Sequence, residues 1–201
     1  MVGYRHYLHA VDKNLIEKIQ KCTTNEEWCN LATSQGYEVD YEATGDGTGY
    51  FPPHSIGTEI YGLGKYSEIG FWLENNRTQL FITEELKQRY EDYAFVSLSA
   101  EDFKLIIEAY VRKITDYFQY LLDPKPDPIL NNKIDKEKLR EHTIQNKLES
   151  WQRVKFAPVL DLNLDNPCIT RSWEYEYAVF ELARLYKTFD WKNNALVLMG
   201  W

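Results

Sequence analysis

Eight of the ten glycines in this 201-residue chain fall between Gly36 and Gly70. Within that stretch, Gly45-Asp46-Gly47-Thr48-Gly49-Tyr50-Phe51-Pro52-Pro53-His54 cannot continue a helix or a central strand. Alternating glycines lose the most backbone entropy on ordering, and the proline pair removes two hydrogen-bond donors. The chain is therefore expected to carry a long internal Gly-rich loop, and long loops inside compact domains are commonly functional.

The segments around the loop read as mixed helix and strand. Tyr4–Val11 is rich in aromatic and branched residues and predicts a strand. Asp12 caps a helix carrying Leu15, Ile16 and Ile19 on one face. Thr24-Asn25-Glu26-Glu27 fits a capping box, with the helix ending near Gln35 and Gly36 supplying the left-handed residue beyond it. Glu38–Glu42 alternates weakly as a short strand, Ile69–Leu73 reads as a strand, Thr83–Tyr90 as a short helix and Ala94–Leu98 as a buried strand.

Ser99 caps the clearest element, a helix over Ala100–Leu122 in which Phe103, Ile106, Ile107, Tyr110, Ile114, Tyr117, Phe118 and Leu121 keep one face apolar. Pro124, Pro126 and Pro128 stop it and mark a subdomain boundary near Asp123–Asn132 within what otherwise reads as a single domain over 1–201. Beyond lie a charged helix over Asp135–Arg153, an alternating extended segment at Leu160, Leu162 and Leu164, a helix from Ser172 to about Phe189, and a final strand at Ala195–Met199. The mixed order without regular βαβ spacing predicts an α+β fold: a small, mainly antiparallel sheet packed with several helices.

Charge bounds the partners. With 23 Lys and Arg against 31 Asp and Glu, the net charge is −8, which disfavours duplex nucleic acid and anionic membranes, since phosphate affinity rests on basic side chains. Nine Phe, 15 Tyr and 6 Trp exclude an intrinsically disordered chain. The opening Met1-Val2-Gly3-Tyr4-Arg5-His6-Tyr7 lacks an apolar signal-like region, and the three cysteines Cys22, Cys29 and Cys168 form no disulfide framework. A cytoplasmic setting with reduced thiols is the expectation. Heavy use of Asn, Lys, Ile and Tyr fits an AT-rich coding genome, bacterial or viral.

The chemistry-bearing motifs are incomplete. The Gly45-x-Gly47-x-Gly49 run has neither the Lys-Ser/Thr of a P-loop nor a third Gly at dinucleotide spacing. His6, His9, His54 and His142 are the whole histidine supply, and His6 and His9 point to opposite faces of a strand. No zinc spacing occurs, and Asp161-x-Asn163-x-Asp165 breaks the calcium-loop pattern at Asn166 and Ser172. No metal site and no cofactor is expected.

Two functional readings follow. The first is macromolecular binding without catalysis, of inhibitor, immunity or accessory type, with a basic protein as partner and Trp151 as an aromatic anchor on its helix. The alternative is a small-molecule or nucleotide-handling enzyme using the Gly45–His54 loop with Arg5 and His6, in which Gly45, Gly47, Gly49 and His54 line the ligand site. A pocket lined jointly by His6, His54 and the loop backbone would favour the second.

Overall fold

A computed structural model describes residues 4–45, 47–65, 67–122, 145, 146, 149 and 174–201. Four strands, β1 (Arg5–Asp12), β2 (Thr58–Lys65), β3 (Ala94–Leu98) and β4 (Asn194–Gly200), form one sheet in the order β2-β1-β4-β3. Every pairing is antiparallel. Six helices accompany it among the described residues: α1 (Lys13–Ile19), α2 (Asn25–Ser34), α3 (Glu68–Asn76), α4 (Glu84–Arg89), α5 (Ala100–Leu122) and α6 (Glu174–Thr188). The α+β expectation and the antiparallel sheet both hold.

The chain divides into two compact units, 1–102 with 189–201, and 103–188. In the first, strand alternation sends Tyr7, His9 and Val11 to one face of β1, and His6 and Leu8 to the other. Behind Val11, α1 and α2 pack Ile16, Ile19, Trp28 and Cys29 with Phe51, Phe81, Leu86, Tyr90, Phe95, Val197 and Met199 into one buried cluster. On the face bearing His6 lies α3, where Gly70 sits directly under the imidazole. A Cβ built on Gly70 would stand 2.4 Å from His6 Nδ1. In the second unit, α5 buries Phe103, Ile106, Ile107, Tyr110 and Ile114, and α6 buries Val179, Leu182 and Ala183. The Phe103 ring meets Tyr186 edge-on at 5.7 Å. The α6 stripe is narrower than its apolar sequence implies, since Tyr177 is 57% exposed.

Local signals account for most element starts. Asp12 accepts from the amides of Asn14 and Leu15, and the Thr24–Glu27 capping box is complete. Ser99 Oγ accepts from the Asp102 amide at 3.1 Å, while Asp102 Oδ2 accepts from the Ser99 amide at 2.9 Å. Gly36 takes φ +83°, as the helix end requires.

Two readings are corrected, and one strand was not anticipated. Residues 69–73 belong to helix α3, not a strand: Ser67 Oγ accepts from the Gly70 amide at 3.2 Å and starts a helical turn that the short apolar run concealed. The weak strand at Glu38–Glu42 reduces to one bridge, Asp40 to Tyr50. Asp40 Oδ1 accepts from the amides of Glu42 and Ala43, and that turn ends the extension. Strand β2 went unread because Gly62 and Gly64 interrupt its alternation, and its register against β1 shifts twice. The boundary at 123–132, the segments at 160–165 and Trp151 lie outside the described residues, as do His142 and Cys168.

Candidate functional site

The Gly-rich loop is held by its carbonyls. Asn25, the first residue of α2, is 97% buried and donates through Nδ2 to the carbonyls of Thr48 (3.1 Å) and Gly49 (2.9 Å). Its Oδ1 accepts from the Tyr90 hydroxyl at 2.9 Å. From α4, Arg89 Nη2 donates to Thr48 Oγ1 (2.7 Å) and to the Gly49 carbonyl (3.2 Å). Trp28 Nε1 donates to the Phe51 carbonyl at 2.9 Å. Loop carbonyls thus turn inward toward donors, the reverse of an amide cradle for phosphate.

Beside these latches opens a cavity of about 490 Å³, lined by Thr24, Asn25, Glu26, Cys29, Asn30, Tyr41, Gly47, Thr48, Glu85 and Arg89. The positive end of α2 points this way, but the protein's own carboxylates already meet it. Glu85 Oε1 accepts from the Asn25 amide at 2.9 Å, and Glu27 Oε2 accepts from the Thr23 amide at 2.7 Å. Glu26 and Arg89 both line the cavity, and neither has an ion-pair partner among the described residues. Arg89 Nε is buried without a hydrogen bond. Burial raises the Cys29 thiol pKa, although Arg89 and Asn25 act in the opposite direction. The Tyr41 ring, 50% exposed, stands beside Gly49.

The residues proposed from the sequence separate in space. Gly47 lines the cavity; Gly49 lies buried against the Tyr41 ring; Gly45 is exposed with open space around it. Arg5 is exposed, and its backbone pairs with Trp201. His6 is fully buried on the α3 face, with Nε2 3.0 Å from Glu74 Oε2, while Tyr4 donates to Glu74 Oε1 at 3.2 Å. His54 lies on the other face, its ring stacked on Trp201 at 4.3 Å and on Tyr93 at 5.6 Å. Trp201 stacks in turn on Tyr7 at 4.4 Å. His9 completes this cluster, with Nδ1 at 3.1 Å from the Ile56 carbonyl. Burial lowers the pKa of both His9 and His54, and their mutual proximity lowers His54 further. His6 and His54 therefore line no common pocket.

Asn25, Tyr41, Glu85 and Arg89 escaped the sequence reading. In the sequence Asn25 stands out only as part of a capping box, and nothing local ties the 83–90 helix to a loop forty residues earlier. Among the described residues no group of three or more His, Cys, Asp or Glu is arranged to hold a metal, and no helix is long and apolar enough to cross a membrane. No protein-family model, curated protein or solved structure matches the chain.

Proposed function

We propose that this protein acts by binding another macromolecule, a basic protein, without catalysing a reaction on it. The observation that carries the reading is the cavity between α2 and α4, which presents Glu26, Glu85 and the half-exposed Tyr41 at its walls. An open depression in which two carboxylates and an aromatic ring outnumber the single Arg89 guanidinium suits the basic side chain of a partner better than it suits phosphate. The net charge of −8 favours encounter with such a partner. In this reading Trp151 supplies a second, aromatic anchor.

The test is association kinetics between the full chain and Lys/Arg-rich peptides. As ionic strength rises from about 0.01 to 1 M the Debye length falls from about 30 to 3 Å, and the association rate should fall with it. Glu26→Gln should slow association, and Trp151→Ala should weaken binding more than it destabilises the fold. A rate indifferent to salt and to Glu26 overturns the proposal.

A second reading uses the same cavity. Gly47 and Thr48 of the loop line it together with Arg89, and these groups also suit a small polar molecule. The enzyme envisaged from the sequence would have to work without His6, whose ring is buried on the opposite face.

A further inference from the structure

Glu26 and Arg89 place opposite charges in one cavity of about 490 Å³. Neither is neutralised by a partner among the described residues. Glu26 is exposed and Arg89 half-buried, so both charges are open to a bound group that carries the opposite charge at each end. Arg89 has committed Nη2 to Thr48 and Gly49, and Nη1 makes no hydrogen bond among the described residues. Glu85 has committed Oε1 to the Asn25 amide. The complement is a ligand with one carboxylate and one cationic group a few bonds apart, with an aliphatic stem to lie along Tyr41.

We infer that the cavity receives the C-terminal residue of the partner, a lysine or arginine with its free α-carboxylate. The carboxylate meets Arg89, and the side-chain cation meets Glu26 with help from Glu85. Capture of a terminal carboxylate is a recurrent mode of peptide recognition, a guanidinium is a strong and geometrically specific partner for a carboxylate, and the cavity lies within the size range of small-ligand sites. The inference rests on the basic-partner reading and adds the chemical identity of the contact.

The experiment is fluorescence anisotropy on the full chain with labelled peptides of one sequence. One ends in lysine as the free acid and one is its C-terminal amide. A third ends in glutamine, and a fourth has its lysine moved inward. Free lysine serves as competitor. The free-acid lysine peptide should bind most tightly, with amidation weakening it about tenfold or more, the scale of one charge-assisted hydrogen bond. Glu26→Gln should erase the preference for lysine over glutamine. Arg89→Gln should erase the preference for acid over amide, whereas Arg89→Lys should preserve part of it. Since Arg89 also holds the loop, the melting temperature of each variant is read alongside, and the wild-type acid/amide contrast stands without any variant. Equal binding of acid and amide overturns this inference while leaving the basic-partner reading intact. Binding of neither lysine peptide overturns both. Competition by free lysine at the affinity of the whole peptide assigns the cavity to a small molecule and overturns the assignment to a chain end.

Discussion

Glu85 and Arg89 stand one turn apart on α4 in the order most favourable for an ion pair, yet they do not pair. Glu85 accepts from the Asn25 amide at the start of α2, and Arg89 donates to Thr48 and Gly49 of the Gly-rich loop. The short helix acts as a brace between two segments distant in sequence, with the cavity in between.

This division of labour is separable by hydrogen exchange. Glu85→Ala should unprotect the Asn25 amide and leave that of Tyr50, bonded to the Asp40 carbonyl, protected. Arg89→Ala should do the reverse. Each should cost about 1–2 kcal/mol in urea unfolding, since each removes charge-assisted hydrogen bonds. Loss of protection at both amides in both variants would mean that the brace moves as one body.

The glycines of the loop are not equivalent. At Gly49, φ is +77° and an added Cβ would stand 3.0 Å from both Tyr41 and Val39, whereas Gly45 and Gly47 have open space around them. Gly49→Ala should therefore combine backbone strain with a clash and cost about 2–3 kcal/mol, against about 1 kcal/mol at Gly45 or Gly47. Denaturation midpoints of the three variants decide it.

Stability should decline on the acid side of neutrality. Burial lowers the folded-state pKa of His9 and His54, so the unfolded chain takes up protons first, near pH 6.5. Their contribution is fully present above that value and is lost as pH falls through the lower folded-state values. Glu59, opposite His9, moderates the effect there. His54→Gln should flatten the dependence of the unfolding midpoint between about pH 5 and 7. A profile unchanged by the substitution would show that other groups set it.

The two described cysteines should resist modification in the native state. Cys22 and Cys29 are 6% and 1% exposed, and burial lifts the Cys22 thiol to about 11. Thiol reagents at neutral pH should label them only at the rate of local unfolding, so labelling should accelerate with urea. Fast labelling without denaturant would contradict the burial.

Capping the long helix from Ser99 should matter by about 1 kcal/mol. Ser99→Ala removes both the acceptor for the Asp102 amide and the hydroxyl donor to Asp102 Oδ2. Asp102 also binds Arg77 at 2.6 Å, and although burial alone would raise its pKa, its bonds to Ser99 and Arg77 lower it overall. A midpoint unchanged in Ser99→Ala would place the start of α5 elsewhere.

Much of what depends on neighbours a few residues apart was legible in the sequence, although the local Ser67 cap and Asp40 turn were not. Asp12, Thr24 and Ser99 announced three helix starts because a side-chain oxygen caps amides only two or three residues ahead. The apolar stripe of α5 was legible as far as Ile114 for the same reason. Tertiary structure decided what local pattern does not encode. The final strand β4 lies centrally between β1 and β3, a choice made by long-range pairing. Residues 69–73, whose apolar run suits a strand equally well, form a helix that starts at Ser67 and packs Gly70 closely against His6, a contact that only the tertiary structure sets. The cavity, finally, exists because Asn25, Thr48 and Arg89 converge from segments up to 64 residues apart through bonds to loop carbonyls, and no spacing along a chain records which carbonyl a distant guanidinium will find.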